Sequence, residues 1–193
     1  MKPVGRREIL DYVTYDETRE EFRAEAMAAK ALRRIHVGEY LTLLFENPLT
    51  VRYQIQEMIR AERIVREADI LHEIETYNEL LGEEGEFGCT LLIEIDDPSV
   101  RNQKLAEWWR LPERMYLLLE DGTRVWARFD ERQRGDEKLS SVQYLKFDTA
   151  GRVPIAAGVD LPDLRAQTSL SEEQRRALQT DVAGGPSFAL ECP

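Results

Sequence analysis

The chain has 193 residues, of which 42% are apolar, and 26 basic against 37 acidic side chains give it a net charge of −11. This length suits one domain with a sizeable core, and this apolar content excludes a disordered chain. The acidic balance argues against nucleic acid or an anionic membrane as the main partner.

No targeting or membrane-spanning segment is evident in the sequence. Apolar runs are too short to cross a bilayer, and the start, MKPVGRREILDYV, lacks the apolar region and cleavage site of a signal peptide. We therefore expect a cytoplasmic protein. Its two cysteines, Cys89 in an apolar run and Cys192 near the end, predict neither a disulfide framework nor a zinc site.

A helix followed by a hairpin is predicted near the start of the chain. Thr14 or Asp16 can cap a helix that runs to about Arg33. The following RRIHVGEYLTLLFE alternates apolar and polar residues in two runs, and Gly38 between them indicates a turn.

Two further helices follow this hairpin. Asn47 and Pro48 form a strong helix start, since asparagine favours the cap and proline the first turn. That helix is predicted to reach about Arg66, and Asp69 can cap the next one.

The second half of the chain continues this mixture. CTLLIEI predicts a buried strand, MYLLLEDGTRVWARFD a hairpin and SSVQYLKF another strand. Asp97 and Pro98 start a helix to about Arg110, and a capping box of Ser171 and Gln174 starts a short helix ending near residue 182.

The order of these elements predicts the α+β class. We expect an antiparallel sheet of about five or six strands, largely hairpins, packed with about five helices. Residues 1–182 are predicted to form a single domain, and the glycines and prolines of residues 183–193 indicate a flexible C-terminal tail.

A glutamate lies in the apolar stripe of the helix that Asn47 starts. At about 100° per residue, Glu62 falls within the sector of Val51, Ile55, Met58 and Val65. A buried carboxylate is costly unless it is paired. We therefore predict that Glu62 is buried and bonded to an arginine such as Arg34 or to backbone donors; a ligand, a metal or a partner-facing surface are the alternatives.

A second, wetter stripe of this helix carries Tyr53, Glu57 and Arg60. Glu57 and Arg60 are three residues apart and can form an ion pair. The candidate residues for binding a ligand or partner are therefore Glu62, Glu57, Arg60, Arg34, Gln54 and Tyr53.

Catalytic and metal signatures are weak. The sequence has no glycine-rich phosphate loop and no nucleophile elbow. His36, His72 and Asp69 are fallback metal ligands, but their spacing matches no common metal motif. The sequence leaves enzymatic activity open and favours its absence, and we predict no cofactor.

Several motifs resemble one family of bacterial proteins. The run LTLLFENPLTVRYQIQEMIRAERI is the most specific, and TYNEL, CTLLIEI, DEKLSSVQYLKF and VDLP followed by SLSEEQRRALQTDV extend the match from about residue 20 to 182. Together they resemble the domain of unknown function 3501 family. Gln143 and Leu161 stand where this family pattern leads us to expect histidines, so a site that relies on those histidines is absent here.

The resemblance implies a context and no specific chemistry. It implies a neighbouring rubrerythrin-like protein and an iron–sulfur oxidoreductase, and hence a non-catalytic accessory role in a redox or peroxide-defence system. The alternative is an enzyme or small-ligand-binding protein with a pocket around Glu62, Glu57 and Arg60. A homodimer that buries part of the Trp108–Trp109 helix is a third hypothesis.

Overall fold

The computed structural model describes residues 1–133, 135 and 137–184. Its α-helices are α1 (Tyr12–Ala31), α2 (Pro48–Glu62), α3 (Glu67–Asn78), α4 (Pro98–Glu107), α5 (Leu111–Arg114) and α6 (Glu172–Val182). Its strands are β1 (Arg34–Val37), β2 (Leu41–Phe45), β3 (Glu86–Ile93), β4 (Met115–Leu118), β5 (Arg124–Trp126), β6 (Arg128–Phe129), β7 (Val142–Asp148), β8 (Ala156–Leu161) and β9 (Leu164–Ser169).

Three helix starts lie where their caps predict them. The side chain of Asn47 accepts a hydrogen bond from the Thr50 amide at the start of α2. Asp97 caps α4 in the same way, and Ser171 and Gln174 form the predicted capping box of α6. These starts are local, because each depends on one side chain and the amides of the next turn.

Two predicted helix starts are wrong. Helix α1 begins at Tyr12, because the carboxylate of Asp11 accepts the amides of Val13 and Thr14 and thereby fixes the first turn earlier than predicted. Helix α3 begins at Glu67, and Asp69 lies inside its first turn, where it pairs with Arg66.

Helix α2 also ends earlier than predicted. Its last residue is Glu62, and Arg63 adopts a left-handed conformation with φ 51°. A left-handed residue stops the helical ladder. The predicted end at about Arg66 is therefore too late.

The α+β class is confirmed, and the strands form two antiparallel sheets. The first sheet has the order β1-β2-β3-β7-β6 and the second has the order β5-β4-β8-β9. The hairpins β1–β2 and β4–β5 are confirmed, and Gly38, with φ 67°, turns the first. The prediction of a single domain over residues 1–182 stays a prediction.

The β8–β9 hairpin was not among the predicted elements. Strand β8, AAGVDL, is almost wholly buried and small in its first half, so it lacks the apolar–polar alternation of a half-exposed strand. Strand β9 ends at Ser169, two residues before Ser171, the predicted cap of the last helix. Both strands depend on pairing with β4 and with each other more than on a local pattern.

Two apolar cores hold these layers together. The larger one contains inward side chains of both sheets, such as Phe45, Phe147 and Val159, together with Leu105 and Trp108 near α4. The smaller one joins α2 and α3 to the N-terminal segment through Val51, Ile55, Ile59, Ile70, Ile74, Leu81, Val4 and Ile9. Helix α2 thus packs against α1 and α3.

The predicted tail begins at the edge of the described chain. Residues 183 and 184 form a turn after α6. Residues 185–193, including Cys192, lie outside the described residues, so the prediction of a flexible tail stays a prediction. In the part of the chain that the structure describes, no helix combines the length and the apolar character of a membrane span.

Candidate functional site

Glu62 is exposed, so the prediction that it is buried is wrong. It lies in the correct angular sector, but it is the last residue of α2 and one turn beyond Ile59, the last fully buried residue of that helix. Val65, in the same sector, is 72% exposed. The helix has passed the edge of the core at this point, and an angular pattern carries no information about that edge.

Glu57 makes the ion pair that the sequence analysis assigned to Glu62. Its carboxylate accepts two hydrogen bonds from Arg19 of α1, at 2.8 and 2.9 Å, and a third from the hydroxyl of Tyr15 at 2.8 Å. The bonds from Arg19, reinforced by Tyr15, hold the pKa of Glu57 below its ordinary value. This cluster joins α2 to α1.

The remaining candidates on this helix do not form one site. Arg60 bonds Asp16 of α1 and not Glu57, which corrects the predicted pair. Tyr53 is buried, and Gln54 contacts Tyr77 of α3. Arg34 is an exposed residue of β1, and no ion pair among the described residues joins it to Glu62.

A buried carboxylate does join helix to sheet, and it belongs to Glu46. This side chain is 6% exposed and accepts hydrogen bonds from Thr50 of α2 and Thr90 of β3 at 2.5 and 2.6 Å. The sequence analysis missed it, because Glu46 follows strand β2 and belongs to no helical stripe.

The fallback metal ligands are not brought together. His36 lies on β1, where its Nδ1 is 2.9 Å from the hydroxyl of Thr42, and His72 is an exposed residue of α3. Asp69 pairs with Arg66. Among the described residues, no three His, Cys, Asp or Glu side chains are close enough together to hold a metal ion.

A cleft of about 580 Å³ lies between α1, α2, α6 and the N-terminal segment. Its walls are largely apolar and include Ala29, Leu32, Pro48, Leu49 and Ala177. The first turn of α2 forms part of its wall, and there the helix dipole presents partial positive charge. An apolar cleft with a few polar groups is the usual form of a small-molecule site.

Arg52 is the unusual residue of this cleft. It is only 5% exposed, and its buried Nε has no hydrogen-bond partner. Its guanidinium lies over the ring of Phe22, 4.7 Å from the ring centroid. No hydrogen bond or ion pair within the described part of the chain involves this guanidinium.

The charges around Arg52 do not neutralise it by contact. Burial lowers the pKa of Arg52, while the more distant carboxylates of Glu8 and Glu25, which also line the cleft, act in the opposite direction. Arginine nevertheless stays protonated in proteins. The cleft therefore contains a largely buried cation whose Nε is enclosed without a hydrogen-bond partner.

Arg33, a second arginine of the cleft, differs from Arg52 because its guanidinium is paired. Arg33 also lines the cleft, but it makes two hydrogen bonds of 2.8 Å to Asp181 of α6. The sequence analysis did not single out Arg52, although its place beside Val51 put an arginine next to the apolar stripe. This adjacency was the feature of the sequence that could have indicated a partly buried arginine.

The two positions that depart from the expected family pattern are both buried. Gln143 of β7 is fully buried, and its side-chain oxygen has no hydrogen-bond partner. Leu161 of β8 is part of the larger core.

The comparisons with known proteins give a family and a related structure. The model of a protein family of unknown function, DUF3501, matches residues 3–182. A crystal structure described as a novel protein of unknown function from Burkholderia pseudomallei K96243 is similar, with a TM-score of 0.83 and 28% identity over 96% of this chain and 100% of that one. No curated protein matches the chain.

Proposed function

Because this chain belongs to the DUF3501 family, whose function is unknown, we propose a function from its geometry: it is a non-catalytic binding protein that holds a small organic carboxylate in the cleft beside Arg52. The observation that carries this proposal is the buried Arg52 guanidinium without a hydrogen-bond partner. The cleft beside Arg52 takes the place of the pocket that we predicted around Glu62, Glu57 and Arg60.

The chemistry of arginine selects the ligand group. A buried charge without a partner costs several kcal/mol of folding free energy, and an ion that supplies hydrogen-bond acceptors offsets that cost. The planar guanidinium matches a carboxylate through two parallel hydrogen bonds. The apolar walls around Leu32, Pro48 and Leu49 suit the rest of a small organic molecule.

Isothermal titration with hydrocinnamate tests this proposal, with hydrocinnamyl alcohol as the uncharged analogue. We expect hydrocinnamate to bind at least about tenfold more tightly than the alcohol, since a hydrogen bond to a charged group contributes about 1.5–3 kcal/mol. Arg52→Met should abolish this preference. Arg23→Met, which removes an exposed arginine of α1 outside the cleft, is the matched control.

Stability separates a binding role from a structural one. Replacing a buried, unpaired cation with an apolar side chain of similar length removes a desolvation cost. We therefore expect Arg52→Met to keep or raise the urea midpoint of unfolding. Equal binding of hydrocinnamate and its alcohol by the native protein, or a clear loss of stability in Arg52→Met, would contradict the proposal.

The same proposal includes an accessory role in a redox or peroxide-defence system, with a rubrerythrin-like or iron–sulfur protein as partner. Its support is the context that the sequence resemblance implies, and the surface that would bind the partner is distinct from the cleft. The acidic net charge of −11 favours association with a basic surface.

Affinity purification from the native host at low salt tests the partner. Recovery of a rubrerythrin-like or iron–sulfur protein, identified by mass spectrometry and lost at high salt, would support the accessory role. Repeated purification without either protein would count against it and would leave the carboxylate-binding proposal unaffected.

A further inference from the structure

From the charges around the cleft we infer that its ligand is a small zwitterion with an apolar body, such as an amino acid with an apolar side chain, whose ammonium group is held by Glu25. This inference rests on the proposed function, because Arg52 is the group that would bind the ligand carboxylate. It adds the second charge and therefore the class of ligand.

The fixed charges of the cleft come in opposite signs. Arg33 and Asp181 neutralise each other through their two hydrogen bonds. The other charged side chains that line the cleft are Lys2 and Arg52 on the positive side and Glu8 and Glu25 on the negative side. Met1 also lines the cleft, and its ammonium group donates to the carbonyl oxygen of Gly82. A ligand with only an anionic group would be attracted by Arg52 and Lys2 and repelled by the two glutamates, whereas a zwitterion can use charges of both signs.

The two glutamates are not equally available. The carboxylate of Glu8 accepts the amide hydrogen of Gly5 at 2.7 Å and so stabilises the N-terminal turn. Glu25 is an exposed residue of α1, and no hydrogen bond or ion pair in the described part of the chain involves it. It is therefore the carboxylate that is free to accept an ammonium group.

The remaining lining indicates the body of the ligand. Ala29 of α1 and Leu32, the residue after that helix, follow Glu25, and Pro48 and Leu49 precede Arg52 on α2. All four line the cleft, so apolar surface lies beside both charged groups. The volume of about 580 Å³ accommodates one small molecule of amino-acid size.

Titrations with matched ligands test this inference. Phenylalanine is compared with hydrocinnamate, which lacks the ammonium group, and with phenethylamine, which lacks the carboxylate. A second pair, ε-aminocaproate and caproate, varies the spacing between the charges. We expect at least one zwitterion to bind the native protein about tenfold more tightly than its counterpart without the ammonium group.

Two variants assign the effect to Glu25. In Glu25→Gln, the preference for the zwitterion should disappear and hydrocinnamate should bind more tightly than to the native protein, because a repelling charge is gone. Glu17→Gln removes an exposed glutamate of the same helix that does not line the cleft, and it should retain the native preference.

The outcomes distinguish this inference from the proposed function. If hydrocinnamate and caproate bind as tightly as the two zwitterions, the zwitterion inference is overturned and carboxylate binding stands. Binding of phenethylamine alone, or of none of these ligands at millimolar concentration, would overturn both. A native preference that persists in Glu25→Gln would overturn the role of Glu25.

Discussion

At the scale of single residues, Glu57 is the carboxylate of α2 whose removal we expect to destabilise the protein most. Glu57→Ala leaves the buried hydroxyl of Tyr15 without its acceptor and leaves Arg19 with a 3.3 Å bond to the exposed Glu20. Loss of such hydrogen bonds costs about 1–3 kcal/mol. Glu62→Ala should change the free energy of unfolding by less than about 0.5 kcal/mol, as is usual for exposed positions. Urea unfolding of the two variants measures this difference.

Glu62→Ala is the control for Glu57→Ala, since both variants remove a glutamate from α2. A larger loss of stability in Glu62→Ala than in Glu57→Ala would contradict the structure. Arg19→Met should destabilise the protein by an amount similar to Glu57→Ala. The double variant should cost less than the sum of the two single changes, because each already breaks the same bonds.

Glu57 also makes the stability of the fold sensitive to acid. The hydrogen bonds from Arg19 lower the pKa of Glu57 in the folded protein below the ordinary value of 4.5. The stabilisation is therefore complete above that ordinary value and is lost as the pH falls through the lower, folded-state pKa. We expect Glu57→Gln to show a smaller loss of urea midpoint than the native protein between pH 5 and pH 3.

At the scale of elements, one buried ion pair joins α6 to the end of α1. Arg33, just after α1, bonds Asp181 of α6 with both side chains less than a tenth exposed, and Asn47 donates to the same carboxylate. Asp181→Ala leaves Arg33 buried without its partner, so we expect a loss of about 3–5 kcal/mol. Hydrogen exchange should rise first in α6.

An exposed pair on the same helix provides the control for this prediction. Glu172 and Arg176 are about four-fifths exposed, and exposed pairs contribute at most about 1 kcal/mol. Glu172→Ala should therefore leave the urea midpoint nearly unchanged. If Asp181→Ala behaves like Glu172→Ala, α6 is held by its apolar contacts and the ion pair contributes little.

At the scale of the whole molecule, we expect the purified protein to be colourless and without stoichiometric iron or zinc. The reason is that His36 and His72 lie on different elements, and no three potential ligands cluster within the described chain. Elemental analysis measures this directly. A reproducible content near one metal ion per chain would contradict it and would direct attention to ligands outside these groups.

The position of Trp108 argues against the predicted homodimer interface. Trp108 is 3% exposed and belongs to the larger core, so it cannot be the centre of a contact between two copies. Dimer formation itself stays a hypothesis, and a mass measurement in solution tests it.

Much of the fold was predictable because its signals are local. The caps Asn47, Asp97 and Ser171 act on amides within one turn, and Gly38 turns a hairpin between two alternating strands. The β8–β9 hairpin and the division into two sheets were not predictable in this way. Strand β8 is stabilised by partners on both sides, and its buried, small residues lack a half-exposed pattern.

The sequence by itself determined the α+β class, the helix starts at Asn47, Asp97 and Ser171, and the presence of charged residues beside the apolar stripe of α2. Only the tertiary structure decided which of those charges are buried. Glu62 has the correct angle but lies past the edge of the core, while Glu57 and Arg52 acquire their surroundings from α1 and α6. Angle around a helix is a property of the local chain, whereas depth and partners depend on segments that are distant in sequence.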